Sequence, residues 1–192
     1  MKNLFKSIAL LLGAASISAS VAQAEVAVYK IDAVHSGVTF KIRHFFTKVP
    51  GSFGTFSGEI HFDEKHFDKS RAMATIDLTT VDTNNSGRDK HLQEDDYFDT
   101  AKFPKAEFIS TKFEKAGDMK YKIHGELSFL GKTGPVVLDA KFLGTGEGRN
   151  GAIISGWDAT GTIDRTKWGL TSGGSVLGEE VEIILNIQAK KQ

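Results

Sequence analysis

The segment MKYKIHGELSFL, residues 119–130, alternates polar and apolar side chains with a period of two. From Tyr121 to Phe129 the odd-numbered positions are apolar or glycine, and the even-numbered positions are lysine, histidine, glutamate or serine. This alternation is typical of a β-strand that has one face in a core and the other in water. The segment therefore predicts a long strand with a single buried face.

The same pattern recurs along the chain, as in GVTFKIRHF (37–45), GTFSGEIHF (54–62) and EEVEIILNIQA (179–189). Short turns rich in Gly, Asp or Lys separate the apolar runs, which indicates antiparallel hairpins. Eight or nine strands, each with one apolar face, must close into a barrel or stack as a sandwich. The remaining strands are predicted at 26–32, 72–82, 106–115, 136–143 and 152–164.

Four glycines, Gly54, Gly58, Gly125 and Gly161, share the parity of the apolar positions around them. A glycine on the inner face packs no side chain, so it marks either a sharp bend of the sheet or open space. Both explanations favour a barrel, and an eight-stranded barrel is wide enough to hold one small ligand. We therefore expect a barrel and, from the second explanation, an internal cavity.

The ends and the composition of the chain indicate export and one domain. Lys2 and Lys6 precede an apolar, small-residue stretch that ends in AQA, which is typical of a secretory signal peptide cleaved after Ala24. Residues 25–192 are then the mature protein, predicted as a single domain without a membrane-spanning segment. The chain has no cysteine and a formal net charge of +0, which excludes disulfides and thiol chemistry and gives no general attraction to nucleic acid.

Two nucleotide-binding patterns fail in their context. GEGRNG (146–151) and GKT (131–133) are both followed by strand-like sequence, whereas phosphate binding requires the N-terminus of a helix. The six histidines form neither an H-x-H pair on a strand nor an H-x-x-x-H pair on a helix, so we expect no metal site. No G-x-S-x-G motif is present for a serine nucleophile.

The stretch VDTNNSGRDKHLQEDDYFD, residues 81–99, concentrates charged residues. Asn85 and Ser86 are good helix caps, and Leu92, Tyr97 and Phe98 supply apolar contacts for a short helical segment near residues 86–99. Residues 94–96 are consecutive acids, which do not converge on one point of a helix. We expect this segment to be structural rather than catalytic.

Several motifs in order resemble the YceI-like family of secreted, lipocalin-like barrels that bind polyisoprenoid or related lipids. They are IDAVHSGVTFKIRH (31–44), the Arg88-Asp89-x-His91-Leu92 signature, GELSFLGKTGPV (125–136) and IDRTKWG (163–169). The chain departs from the family at Trp168, where phenylalanine is usual, and at Gly134, where lysine is common. A Trp168 ring that pointed inward would narrow or shorten a cavity.

The resemblance implies an all-β fold, an extended antiparallel eight-stranded lipocalin-like barrel, that carries a long-chain lipid such as an isoprenoid or isoprenoid quinone. It implies no catalytic residue, no cofactor besides such a ligand, and lipid rather than nucleic acid as partner. The signal peptide, with no membrane span after it, indicates the periplasm, with secretion beyond it as the alternative. A homodimer through an outer face is a further expectation. Assigned by face alone, the expected lipid-binding residues are Phe40, Ile42, Phe56, Ile60, Phe62, Ile123, Leu127, Phe129, Leu138, Phe142, Trp157, Ile183 and Leu185.

A polar headgroup needs partners at the cavity mouth, and His44 and Arg88 are the candidates. Two other functions stay open at this stage. One is a barrel hydrolase or isomerase acting on a lipid-like substrate through His35, His44 or an Asp89/His91 pair. The other is an interaction module with a filled core that acts in the stress response.

Overall fold

The computed structural model describes residues 26–192; the predicted signal peptide lies outside the described residues. The described chain is almost entirely β, with one α-helix and short 3₁₀ turns. The strands are β1 (Ala27–Ile31), β2 (Gly37–His44), β3 (Thr47–Phe53), β4 (Phe56–Phe62), β5 (Arg71–Asp77), β6 (Val81–Asp82), β7 (Lys105–Gly117), β8 (Lys120–Phe129), β9 (Lys132–Glu147), β10 (Ile153–Asp164) and β11 (Leu177–Lys191), and the helix is α1 (Ser86–Leu92).

All strands join one antiparallel sheet that closes on itself. The order runs β1-β4-β5-β7-β8-β9-β10-β11, and β11 pairs with β1 through Ala189 and Ile31. Because each strand hydrogen-bonds to neighbours on both sides, the ring leaves no free edge in this part of the barrel. The predicted eight-stranded antiparallel barrel is confirmed.

Three of the eight strands are broken at about the same height. β1 and β2 are halves of one strand, separated by a 3₁₀ turn at Ala33–His35, and β3 and β4 are halves of the next, separated at residues 54 and 55. β5 and β6 form the third, separated by a turn at Leu78–Thr80. Each break adds enough residues that the inward-facing side chains change between odd-numbered and even-numbered positions across it.

The glycines have a different role from the one expected. Gly54 is exposed in the break between β3 and β4, so it does not lie on the inner face. A Cβ at Gly125 would lie 2.4 Å from the Phe108 ring, and one at Gly58 would lie 2.2 Å from the Met73 carbonyl oxygen. At Gly161 the nearest atom, Cδ2 of Leu138, would lie 2.8 Å away. These three glycines permit close packing of neighbouring strands and side chains, and they do not create open space.

Helix α1 lies in the long connection between β6 and β7, at the end of the barrel that also carries the β2–β3, β8–β9 and β10–β11 connections. Asn85 caps it as expected, because its side-chain oxygen accepts a hydrogen bond from the Arg88 N–H at 3.0 Å. The chain continues through turns to residue 99, so the helical segment is short, as predicted. No helix within residues 26–192 has the length and apolarity needed to span a bilayer.

Candidate functional site

The barrel encloses a cavity of about 640 Å³. Every one of the eight strands contributes to its wall, and the α1 connection and the loop between β10 and β11 complete it at one end. The volume falls within the range of known ligand pockets. The cavity lies inside the barrel, and its wall is almost entirely apolar.

The lining is apolar and carries no acidic group. Among the described residues that line the cavity, the titratable side chains are His44, Arg88, His91, Tyr97 and Arg165. The four inward side chains on β11, from Val181 to Ile187, are only partly buried although they face the interior. Core residues of a filled barrel would be fully enclosed, so this partial burial agrees with an open interior.

Most of the residues expected to bind lipid line this cavity. Phe62 and Phe142 are not part of the lining. The structure places eleven of the expected residues on the lining: Phe40, Ile42, Phe56, Ile60, Ile123, Leu127, Phe129, Leu138, Trp157, Ile183 and Leu185.

Phe62 and Phe142 belong instead to a cluster that fills the end of the barrel opposite α1. We call it the aromatic plug; its members are Phe62, Tyr121, Phe142 and Trp157. The Trp157 ring centroid lies 4.6 Å from that of Phe142 and 4.7 Å from that of Phe62, and the Phe62 and Tyr121 centroids are 5.7 Å apart. The alternating pattern gave these rings the correct face, but it could not show that four of them meet and exclude a ligand.

The other end of the cavity reaches the surface. Four residues that line the cavity at this end are exposed: His44 at the end of β2, Arg88 and His91 on α1, and Gly173 in the loop between β10 and β11. We call these four residues the mouth. Met73 on β5 is the other exposed residue of the lining. The two headgroup candidates, His44 and Arg88, therefore both lie where a ligand would enter.

A hydrogen-bond network holds Arg88 at the mouth. Its Nε donates to the hydroxyl of Thr83 at 2.7 Å, and its Nη2 donates to the Thr83 carbonyl at 2.7 Å. Thr83 in turn donates from its hydroxyl and its N–H to the carboxylate of Asp89. The Thr83 hydroxyl is the main cause of the lowered pKa of Asp89, and the Thr83 N–H and the Arg88 charge add smaller contributions. Arg88 and Asp89 of the signature thus hold the backbone and side chains at the mouth in place through Thr83.

Arg165 fixes the loop on the opposite side of the mouth. The residue is only 2% exposed; its Nε donates to the Gly178 carbonyl at 2.8 Å and its Nη1 to the carbonyls of Leu170 and Ser172 at 2.5 and 2.9 Å. No carboxylate within 4.0 Å balances this charge in residues 26–192. Backbone carbonyls therefore satisfy the buried guanidinium, and the connection between β10 and β11 is tied down as a result.

The two departures from the family pattern lie against each other. The Trp168 ring packs over Gly134, where an added Cβ would be 3.1 Å from its Cζ2 atom, and its Nε1 donates to the Leu127 carbonyl at 3.1 Å. Trp168 is buried but does not line the cavity, so it does not narrow it. The smaller residue at position 134 makes room for the larger one at 168.

Three of the groups considered for an enzyme have separate hydrogen-bond partners. His35 bonds to Asp32 at 2.8 Å in the turn between β1 and β2 and is absent from the cavity lining. Asp89 accepts from Thr83, whereas His91 lies 3.2 Å from Asp96. His91, Glu94 and Asp96 do approach one another closely enough for one metal ion, but all three are exposed.

Sequence reasoning missed several lining residues. Phe53 escaped because the break at residues 54 and 55 changes the inward parity, so its face could not be read from β4. Phe98 was assigned to the packing of the helical segment, yet it reaches the cavity, with its ring centroid 6.2 Å from Phe53 and 5.8 Å from Phe129. Separate assignment of parity on each side of the Gly54 turn would have found Phe53.

Comparison with known proteins gives the family. The model of the YceI-like domain matches residues 29–189. The chain belongs to the YceI-like family. It is 37% identical to Protein YceI of Escherichia coli O157:H7 over 181 residues, which cover 93% of this chain and 94% of that protein. It is 36% identical to a UPF0312 protein of Pectobacterium atrosepticum, covering 98% of this chain and all of the relative.

Solved structures share the barrel of this YceI-like chain. The Campylobacter jejuni YCEI protein superposes with a TM-score of 0.71 at 31% identity, over 77% of this chain and 87% of that one. Burkholderia cenocepacia BcnA gives a TM-score of 0.77 at 24% identity, over 83% and 99% of the chains. A polyisoprenoid binding domain from Saccharophagus degradans gives 0.65 at 18% identity, over 88% and 100%. At these lower identities the last two establish the fold alone.

Proposed function

We propose that this protein is a non-catalytic carrier that holds a long-chain isoprenoid or a related lipid in the barrel cavity, and that it acts in the periplasm after removal of residues 1–24. The observation that carries the proposal is the asymmetry of the cavity. Its apolar interior runs between a closed aromatic end and an open polar mouth. An amphiphile with one long tail and one polar end matches this arrangement.

The free energy of burying apolar groups favours the ligand's hydrocarbon tail as the main source of affinity. A cavity of about 640 Å³ holds roughly twenty methylene-sized groups if each takes about the volume of a water molecule, about 30 Å³. At about 0.8 kcal/mol for each buried methylene, a tail of that size gains roughly 16 kcal/mol before the loss of motional freedom is subtracted. Polar contacts at the mouth are worth much less, and they serve to orient the ligand.

His44 and Arg88 are the proposed headgroup contacts. Arg88 donates from its Nε and Nη2 to Thr83, and its Nη1 donates to no acceptor within the described chain. Hydrogen-bond acceptors on a headgroup, such as carbonyl or phosphate oxygens, suit this donor. The polyisoprenoid that the S. degradans domain is described as binding supports the same class of tail.

The direct test is to extract the purified protein with organic solvent and to identify the extract by mass spectrometry. Recovery of one long-chain lipid in near-stoichiometric amount is the expected result. If the protein folds as a barrel, and neither purification nor incubation with prenyl lipids leaves any bound lipid, the carrier function is wrong.

A further inference from the structure

The two residues of the β2–β3 turn, Phe45 and Phe46, form an exposed apolar projection that we call the aromatic tip. Phe46 is 98% exposed and Phe45 is 55% exposed, although phenylalanine is among the residues most often buried. Their ring centroids are 6.4 Å apart. The fold of the barrel gives no reason for two large apolar side chains at this position.

The backbone of the tip indicates that these residues are not there to make the turn. Phe45 has a φ of 51°, in the left-handed region that suits glycine or asparagine and disfavours a bulky side chain. Two-residue hairpin turns of this kind normally carry glycine or asparagine. A strained aromatic residue that a turn does not need points to a role outside the fold.

The tip is joined directly to the cavity mouth. His44 lines the mouth, and its ring centroid lies 4.9 Å from that of Phe45. The Phe45 N–H donates to the carbonyl of Val176, another lining residue, at 2.8 Å, and Arg43 donates to the Phe45 carbonyl at 2.7 Å. Whatever surface contacts the tip is therefore brought against the opening.

We propose that the aromatic tip inserts into the interface of a phospholipid bilayer and docks the mouth on the membrane. Two phenylalanines offer at most about 300–500 Å² of contact, which is less than the roughly 800 Å² that each partner contributes to a standard protein interface. A convex tip of that size suits shallow insertion into lipid, where aromatic side chains are favoured. The carrier function supplies the purpose of the docking, because cargo would pass between bilayer and cavity without crossing water.

The charges around the tip predict little preference for anionic lipid. Lys48 pairs with Glu182, and the exposed Arg43 beside the tip shares a surface depression with the exposed Glu179 and Glu180 at the start of β11, so both signs of charge are present. The acidic residues of the α1 connection lie at the same end, where Ser172 donates to the Asp96 carbonyl at 2.6 Å. Insertion of the two rings, rather than attraction of opposite charges, is therefore the expected source of binding.

The test variant is Phe45→Gly combined with Phe46→Asn, because Gly-Asn is a preferred hairpin sequence and suits the positive φ at position 45. Sedimentation with vesicles of phosphatidylcholine, with and without phosphatidylglycerol, measures binding of the full-length mature protein. Wild type is expected to bind both kinds of vesicle. The variant is expected to lose at least about tenfold in partitioning while it unfolds at the same temperature as wild type or higher.

The matched control is Val34→Ser, at a side chain that is 86% exposed in the turn between β1 and β2; its binding should equal that of wild type. Equal vesicle binding by wild type and the tip variant, or no binding by either, overturns the proposal. If light scattering shows that wild type is a dimer and the variant a monomer, with vesicle binding unchanged, the tip is instead a contact between copies. Bound lipid is measured in the same preparations, so failure of the carrier function is recognised separately from failure of docking.

Discussion

The two ends of the barrel use similar kinds of residue for opposite purposes. At the closed end, the contacting rings of the aromatic plug have centroids 4.6–6.2 Å apart and fill the lumen. In the half of the barrel next to the mouth, the rings of Phe40, Phe53, Phe98 and Phe129 lie along the wall with neighbouring centroids 5.5–6.2 Å apart, and they leave the centre open. Ring packing stabilises the closed end. The rings near the mouth still face the open cavity, so a bound ligand would increase their burial and stabilise them further.

The loops at the two ends are held in the same way. Near the plug, Asp63 accepts from the N–H groups of Lys65 and His66, both at 2.9 Å. Near the mouth, Asp89 accepts from Thr83. In both cases hydrogen bonds to the ionised carboxylate hold its pKa below the ordinary value; the His66 N–H contributes most at Asp63, and the Thr83 hydroxyl at Asp89. The difference between the ends therefore lies in the filling of the lumen and not in the anchoring of the loops.

The largest expected effect comes from opening the plug. Phe142→Ala removes a ring that is only 3% exposed, and it should lower the free energy of unfolding by about 3–5 kcal/mol. Urea denaturation measures the change. Leu143→Ala, at a neighbouring side chain that is 49% exposed, is the control and should change stability by less than about 1 kcal/mol. Equal effects of the two substitutions would show that the plug is not a packed core.

A smaller effect is expected from filling the open half. Ile183→Trp places a larger ring on the cavity wall and should displace roughly three or four methylenes of cargo. This loss corresponds to about 3 kcal/mol, or roughly a hundredfold in affinity for a prenyl lipid. Binding is measured by displacement of a fluorescent lipid.

The adjacent substitution Ile184→Trp is the control for this pair, because Ile184 does not line the cavity. It is expected to leave binding unchanged. Equal affinities of the two variants would mean that the lipid lies elsewhere on the protein.

The smallest effect concerns the framework of the mouth. Asp89→Asn weakens the hydrogen bonds from Thr83 and should lower stability at neutral pH by about 1 kcal/mol. Since the folded pKa of Asp89 is lowered, its stabilisation is complete above the ordinary value of about 3.9 and is lost as the pH falls through the folded value. The stability difference between wild type and variant should therefore shrink below about pH 4.

Unfolding experiments at several pH values check this last prediction. Asp63 and Asp164 also have lowered pKa values, and they titrate in both proteins. The comparison of wild type with variant isolates Asp89. A difference that stayed constant down to pH 2 would contradict the assigned role of the carboxylate.

The alternation of side chains was enough to predict the barrel and most of its inner face. It succeeded on the unbroken strand β8 and on β11 from Val181 onward, where one parity faces inward throughout. It could not show how neighbouring rings pack across the lumen, so Phe62 and Phe142 were placed on the lining although they belong to the plug. It left a sharp bend or open space as the explanations of Gly125 and could not show the close packing found there, because the partner ring comes from Phe108 on another strand.

The breaks in β1/β2, β3/β4 and β5/β6 have a consequence for how such barrels can diverge. At each break the inward-facing positions change between odd and even residue numbers, so the inward parity of one half-strand does not determine that of the other. One residue gained or lost within Ala33–His35, at residues 54–55 or within Leu78–Thr80 can be absorbed by the turn itself. The same change in the middle of β8 would turn half a strand inside out, so length variation should concentrate at the three breaks.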